Sequence, residues 1–211
     1  VFGCGGDRDR TKRPLMLQIA EELADLIYIT SDNPRTEKPE AILEEIVAGL
    51  SAPNAEKLAL VEKNRDYTIL HAILQAAPDD VILIAGKGHE DYQEINAKRH
   101  FFDDRQWSSL ALLMRDGLNI STDTRKLEAG QFFVALKGEY FDAHSLLSQA
   151  QEKKAVAALV SAPDKELALA QIQVHDTLDA LMTMAKAWRA QFTLPVVAVT
   201  GSNGKTTTKE M

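Results

Sequence analysis

Val81-Ile-Leu-Ile-Ala85 runs directly into Gly86-Lys-Gly-His-Glu90, and this stretch sets the plan of the first half of the chain. A short apolar run of this length reads as a buried strand. The glycines and charges that follow read as the loop leaving it. Working outward, the same unit recurs upstream: Val1–Cys4 leads into Gly5-Gly-Asp-Arg-Asp-Arg10, Leu26–Thr30 into Ser31-Asp-Asn-Pro-Arg35, and Leu58–Val61 into Glu62-Lys-Asn-Arg-Asp66. Between the strands, periodicity predicts an amphipathic helix over Pro14–Ala24, with Leu15, Ile19 and Leu23 on one face, and helices over Glu40–Leu50 and over Tyr67–Ala77. Repeated β-α units of this kind predict a parallel sheet with right-handed crossovers.

In such a sheet every loop that follows a strand lies at one edge, where open α/β sheets bind their ligands. The four loops quoted above meet there, and all carry charge of both signs. The connections at the opposite edge, Ser51–Lys57 and Pro78–Asp80, are short and hold no comparable array. One charged loop is ordinary for a solvated rim, but four on one edge point to a site. Arg forks clamp carboxylates and acids such as Glu90 hold ammonium groups. The array therefore suits a small zwitterion with several carboxylates and amines. His89 is the histidine placed next to this site. His71, His100 and His175 stand alone, without metal-ligand spacing, and Trp107 and Trp188 are read as packing residues.

A second series of elements follows. Ser108–Asp116 reads as a short helix, Asn119–Thr122, Gln131–Leu136, Val156–Val160 and Ile172–Val174 as strands, and Leu146–Lys153 as a helix. Thr177–Phe192 reads as a long amphipathic helix with Leu178, Leu181, Met184 or Ala185, and Trp188 inward. The strand Pro195–Thr200 then delivers Gly201-Ser-Asn-Gly-Lys-Thr-Thr207. Glycines there let backbone N–H groups close around a phosphate. Lys205 would reach the outer phosphates and Thr206 would ligate Mg²⁺. A glycine-rich turn after a strand is the plainer reading, and Val199 stands where the usual phosphate loop has its first glycine.

Composition narrows the function classes. The chain has 211 residues, 45% of them hydrophobic, enough for one or two ordinary cores. Its formal net charge is −7; residues 1–107 hold 13 Lys and Arg against 20 Asp and Glu, whereas 108–211 hold 11 of each sign. No basic stripe with interleaved aromatics occurs, so nucleic acid is not an expected partner. The single Cys4 excludes an internal disulfide and fits a reducing cytosol. No apolar run approaches a membrane span and no signal peptide opens the chain, so a cytoplasmic protein without membrane insertion is expected. Val1-Phe-Gly reads as a strand interior, so the chain is expected to be a segment of a longer protein.

Phe2-Gly-Cys-Gly-Gly-Asp-Arg-Asp-Arg10, Thr30-Ser-Asp-Asn-Pro-Arg35 and Ile84-Ala-Gly-Lys-Gly-His-Glu-Asp-Tyr-Gln93 together resemble the C-terminal domain of a Mur ligase. The likeness covers residues 1 to about 107, closing at His100-Phe-Phe-Asp-Asp-Arg-Gln-Trp107. The Asp-Asn-Pro-Arg pattern is similar to that of members adding meso-diaminopimelate to the peptidoglycan stem. The resemblance implies that Asp32, Asn33, Pro34 and Arg35 hold this amino acid, joined by Arg8, Gly86 and Glu90. The chain departs from the family in having Arg10-Thr11-Lys12-Arg13 where a glycine is usual.

The second half resembles a different Mur ligase, the one attaching D-alanyl-D-alanine. Ser121-Thr-Asp-Thr-Arg125, Phe132-Phe-Val-Ala-Leu-Lys-Gly138, Phe141-Asp-Ala-His144 and Val199–Met211 stand in its order, with Ala143 where glycine is usual. In this family the phosphate loop lacks the early glycine, which accounts for Val199. The resemblance implies that Thr122, Thr124, Glu139, Tyr140 and Phe141 line the uridine nucleotide of the substrate. It further implies that Gly201, Ser202, Asn203, Gly204, Lys205, Thr206 and Thr207 bind ATP, with Lys205 and Thr206 catalytic and Thr206 on Mg²⁺.

The expected fold class is therefore α/β: a Rossmann-like parallel-sheet domain over 1–107, a smaller α/β uridine-nucleotide domain over 108–194, and the start of an ATPase domain over 195–211. The parent would be a fused, bifunctional ligase forming amide bonds at the expense of ATP. Its partners would be UDP-MurNAc-peptide substrates, meso-diaminopimelate and D-alanyl-D-alanine. The segment holds neither ATPase domain and is expected to be inactive alone. The alternatives are an unrelated P-loop NTPase or kinase, a folate- or polyglutamate-adding relative, and a non-catalytic scaffold.

Overall fold

The structure, a computed structural model, describes residues 1–201. Its first half is built on β1 (Ile27–Thr30), the most buried strand, paired in parallel with β2 (Leu58–Glu62). On the other flank of β1 lies the first stretch of chain, through Phe2 N–H to Tyr28 O at 3.0 Å and Thr30 N–H to Phe2 O at 2.9 Å. Val1 carries the ladder one strand further: Ala85 N–H donates to Val1 O at 2.9 Å and the Val1 ammonium to Leu83 O at 2.8 Å. The spatial order is thus 81–85, 1–4, β1, β2. The expected strand over 81–85 makes these bonds without becoming regular, because it is an outer segment: Val81 is 96% exposed, while Ile82 and Ile84 pack inward.

Helices cover both faces. α1 (Lys12–Leu23) and α2 (Pro39–Val47) enclose one core with Cys4, Leu17, Ile27, Ile29, Ile42 and Ile46. α3 (Arg65–Gln75) packs on the other face through Ile69, Leu70 and Ile73. The apolar face of α1 is not the one it buries. Leu15, Ile19 and Leu23 point outward, Leu23 at 82% exposure, and Arg13, Leu17 and Glu21 are buried. Arg13 tolerates burial because Glu37 and Glu45 pair with it at 2.8 and 2.7 Å. Glu21 accepts the Ser51 N–H at 2.7 Å. A pattern that sends charges outward picks the wrong side of a helix whose charges are satisfied inside.

An antiparallel hairpin then forms from β3 (Tyr92–Ile95) and β4 (Lys98–Phe101). Its two-residue turn, Asn96-Ala97, has φ of 49° and 59°, the left-handed pair that matches strand twist. The sequence reading did not anticipate it. α4 (Asp104–Arg115) follows, capped by the Asp103 carboxylate, which accepts the Arg105 N–H at 2.8 Å.

The second half is a four-stranded parallel sheet in the order β5 (Ile120–Ser121), β6 (Phe132–Val134), β7 (Ala157–Val160), β8 (Gln171–Gln173). Alternation sorts β6: Phe133 joins a core with Leu127, Leu147 of α5 (Leu147–Glu152) and Val160. Phe132 and Val134 face the opposite way, into a core that also contains Tyr67, Ile69 and Leu70 of α3 and Trp107, Leu110 and Met114 of α4. The two halves therefore share one hydrophobic core across α4. α6 (Thr177–Arg189) closes it, capped by Asp176, which accepts the Leu178 and Asp179 N–H groups. Its inward face is Ala180, Met184 and Ala187, with Leu181 partly covered. Leu178 and Trp188, expected inside, are exposed, since small side chains let α6 approach the core closely.

Pro195–Thr200 is not a strand here. Val197 is 85% exposed. A β-branched run needs a neighbouring strand to complete its hydrogen bonds, and none pairs with it among the described residues.

Candidate functional site

The carboxyl-end edge of the first sheet is where the chemistry concentrates. Gly6 brings the first loop onto the second: its N–H donates to Asn33 O at 2.8 Å, and a Cβ at Gly6 would fall 2.0 Å from Pro34 O. No larger residue permits that approach. Arg35 adopts φ 52° and donates from Nη1 to Gly6 O at 2.5 Å. A Cβ placed on Gly5 would lie 3.0 Å from Arg35 Nη1 and 3.6 Å from Arg8 Cγ, so both arginines flank one spot. Beneath them the buried Arg13 also donates to Gly5 O at 3.2 Å. Its guanidinium, with the Asp7 N–H, holds the Glu37 carboxyl down to about 2, and these bonds brace the loop from below.

Asn33 is the centre of a second cluster. Its Oδ1 accepts from Lys87 Nζ at 3.1 Å and from Glu94 N–H at 2.9 Å, and its Nδ2 donates to Glu90 Oε2 at 2.8 Å. Lys87 also donates to Tyr92 O at 2.6 Å and lies 3.4 Å from Asp32 Oδ1. Gly86, at φ 115°, turns the loop where a side chain is disfavoured; a Cβ there would face Asp32 Cγ at 3.8 Å. The hairpin secures the 32–35 loop from behind, through Gln93 Nε2 to Asp32 O at 2.6 Å and Arg35 N–H to Glu94 O at 3.0 Å.

The structure thus brings Arg8, Asp32, Asn33, Pro34, Arg35, Gly86 and Glu90 to the loops of one edge, with Arg8 and Arg35 beside Gly5 and Glu90 on Asn33. His89 sits exposed in the same loop. The sequence reading missed the role of Arg65, which it counted among the charged loops of the site edge. Arg65 is fully buried and holds Asp104 through two bonds of 2.8 and 2.7 Å, and Ala85 O at 2.9 Å. An arginine opening a helix beside acids was the available signal.

In the second half, Thr122, Asp123, Thr124, Arg125, Phe141, Leu146 and Gln149 line a cavity of about 550 Å³. Thr124 is buried and donates to Gln149 Oε1 at 3.2 Å. Asp123 grips the exposed Arg125 at 2.8 Å, which pulls its own carboxyl to about 2. Glu139 and Tyr140 do not reach this cavity: they lie in a solvent-facing turn closed by Gly138 N–H to Phe141 O at 2.8 Å, with Tyr140 91% exposed.

Asp142, His144 and Ser161 fall into a line resembling a hydrolytic triad, with Oδ1 to Nδ1 at 2.5 Å and Nε2 to Oγ at 3.3 Å. The Nε2 lone pair, however, accepts the Ser161 backbone N–H at 2.9 Å. It is not free to take a proton from the hydroxyl, and His144 instead pins the turn after β6 to the end of β7.

Ser202, Asn203, Gly204, Lys205, Thr206 and Thr207 lie outside the described residues, so the phosphate-loop and Mg²⁺ expectations have no geometry here; Gly201 is the last residue described. Among the described residues, no three His, Cys, Asp or Glu side chains are grouped to hold a metal, and no helix is long and apolar enough to cross a membrane.

Comparison with known proteins adds the following. Residues 1–88 match the family model for the Mur ligase, glutamate ligase domain. A curated UDP-N-acetylmuramoyl-L-alanyl-D-glutamate–2,6-diaminopimelate ligase from Synechococcus elongatus is 57% identical over 115 residues, covering 54% of this chain and 22% of that protein. A solved structure of a ligase with the same description superposes with TM-score 0.50 at 46% identity, over 55% of this chain and 23% of the other. A MurF crystal structure from Acinetobacter baumannii is 45% identical over 44% of this chain and 20% of its own length, with TM-score 0.41. The chain therefore spans about a fifth of the length of the relatives it matches.

Proposed function

We propose that residues 1–107 are the amino-acid-binding domain of a meso-diaminopimelate-adding Mur ligase. In the same reading, 108–194 are the uridine-nucleotide domain of a D-alanyl-D-alanine-adding one, and 195–211 open its ATPase domain. The observation that carries the first assignment is that Arg8 and Arg35 flank Gly5 on the same sheet edge that holds the Asn33–Glu90 cluster. Diaminopimelate has an ammonium and a carboxylate at each end. Arg35 would take the distal carboxylate as a bidentate partner, and Glu90 and Asp32 would hold ammonium groups. Lysine lacks the distal carboxylate, so it would leave Arg35 unpaired.

The 108–194 assignment draws on the second-half motifs, and the cavity lined by Thr122, Thr124 and Phe141 offers polar groups and an aromatic face for a pyrimidine nucleotide. In the parent, ATP would supply activation of a substrate carboxylate for attack by an amine, with ATP and Mg²⁺ held by Gly201–Thr207, Lys205 and Thr206. This chain's own described residues would bind and orient the incoming amine. The 211-residue chain is expected to bind and not to turn over.

Isothermal titration of the chain with meso-diaminopimelate, with L-lysine, and of Arg35→Ala with both, tests the reading. Binding of meso-diaminopimelate alone, lost in Arg35→Ala, is expected. An equal response to the two amino acids overturns it.

A further inference from the structure

We propose that Lys87 is a positioning residue that sets the orientation of the Asn33 amide and, through it, the place of the Glu90 carboxylate. The inference rests on the amino-acid-binding reading above and goes one layer behind the groups that would touch the ligand.

Lys87 is buried, at 3% exposure, in a loop whose neighbours Gly86, Gly88 and His89 are all exposed. A lone ammonium is costly to bury, and here two hydrogen bonds and one ion pair answer it. Asn33 Oδ1 lies at 3.1 Å, Tyr92 O at 2.6 Å and Asp32 Oδ1 at 3.4 Å, with the Tyr92 and Phe102 rings each 5.9 Å away. The side chain therefore joins three segments: the loop after β1, its own loop and strand β3.

The decisive point is donor and acceptor identity. An ammonium and a backbone N–H can only donate. Lys87 Nζ and Glu94 N–H both face one end of the Asn33 amide, so that end must be the oxygen. The amino end is then forced toward Glu90, where Nδ2 meets Oε2 at 2.8 Å. Glu90 lies between two fixed things, the loop it belongs to and an amide whose orientation it does not choose. Were the amide reversed, its oxygen would oppose the Glu90 carboxylate and push it from the edge. Glu94 N–H alone leaves half of this constraint.

The experiment uses the full chain with Lys87→Met, which keeps the length and removes the donors, and Lys87→Leu as a second donor-free variant should Met not fold. Two readouts are taken. The first needs no ligand: the Asn33 side-chain NH₂ pair in ¹⁵N-resolved NMR, expected to be exchange-protected in the parent chain and to lose at least tenfold in protection in the variant. The second is the dissociation constant for meso-diaminopimelate, expected to rise tenfold or more.

Rescue separates positioning from simple structural support. Lys87→Cys in a Cys4→Ala background, alkylated with 2-bromoethylamine while unfolded and then refolded, restores an ammonium at lysine length. Its affinity should return to within threefold of the Cys4→Ala chain. Unchanged Asn33 protection in folded Lys87→Met or Lys87→Leu overturns the proposal. So does a folded alkylated variant that regains neither protection nor affinity. If the parent chain binds no diaminopimelate, the amino-acid reading fails, and Asn33 protection alone still decides the role of Lys87.

Discussion

Arg35 combines a candidate ligand contact with a left-handed backbone, and substitution can pull the two apart. At φ 52° a Cβ crowds the following carbonyl, at a cost of roughly 1–2 kcal/mol that any non-glycine residue carries. Arg35→Gly removes that cost but loosens the unfolded chain, which opposes it by about 0.4–1 kcal/mol. Arg35→Ala keeps the strain. Both variants lose the hydrogen bond from Nη1 to Gly6 O, worth about 1 kcal/mol for a half-exposed guanidinium. The expected order is therefore parent and Arg35→Gly close together, with Arg35→Ala about 0.5–1 kcal/mol below the glycine variant.

For a chain of this size that gap is about 1–4 °C in Tm. Urea unfolding at matched m-values and differential scanning calorimetry both resolve it. An alanine variant as stable as the glycine variant would refute the strain argument. Titration with meso-diaminopimelate supplies the second axis: both variants should lose the response equally, because neither has a guanidinium.

Other perturbations address the rest of the molecule. Leu110 is completely buried in the core shared by α3, α4 and α6, so Leu110→Ala should cost about 2–5 kcal/mol. The loss should appear in one transition seen alike by probes in both halves; separate melting of the second half would show that the core is not shared. Glu37 is held at about 2, chiefly by its hydrogen bonds to Arg13. Its folded pKa lies below the unfolded one, so its contribution is present above roughly pH 4.5 and drains away as pH falls toward 2. Between pH 6 and 2.5 the parent should lose more of its urea midpoint than Glu37→Gln does; parallel losses would contradict this. Asp66, half-buried where α3 meets α6, accepts from Tyr67 N–H at 2.7 Å, and desolvation there raises its carboxyl above the usual range. The fold therefore favours its neutral form, with that stabilisation full at low pH and lost as pH rises through the folded pKa. Asp66→Asn should raise Tm at pH 7 and leave it unchanged near pH 3, and an equal gain at both would rule out the charge as the cause.

The order of strands and helices was legible because periodicity is a local signal, and the helices over 39–47, 65–75 and 177–189 lie within a few residues of where periodicity put them. Legibility failed where tertiary partners decide. The α1 stripe of Leu15, Ile19 and Leu23 reads as a core face until Glu45 of α2 and Glu37 of the loop before it are seen to neutralise Arg13. The run Pro195–Thr200 has strand chemistry but no neighbour among the described residues. The hairpin over 92–101 was missed because its residues are mostly polar and its turn, Asn96-Ala97, lacks a glycine. At the candidate site the exposed Arg8 and the half-buried Arg35 and Glu90 announced themselves by composition. Lys87 and Arg65 looked like more of the same, and only burial separates them from the rim.

α4 gives the junction between the halves no slack. Trp107, Leu110 and Met114 face a core to which both sheets contribute, so the joint behaves as a weld and not as a leash. Two sites on a leash can pass material by swinging toward one another; two on a weld keep a fixed vector between them. The Asn33–Glu90 edge and the Thr122–Phe141 cavity are thus held at one spacing, and lengthening the sequence at this joint would break a core before it gained any reach.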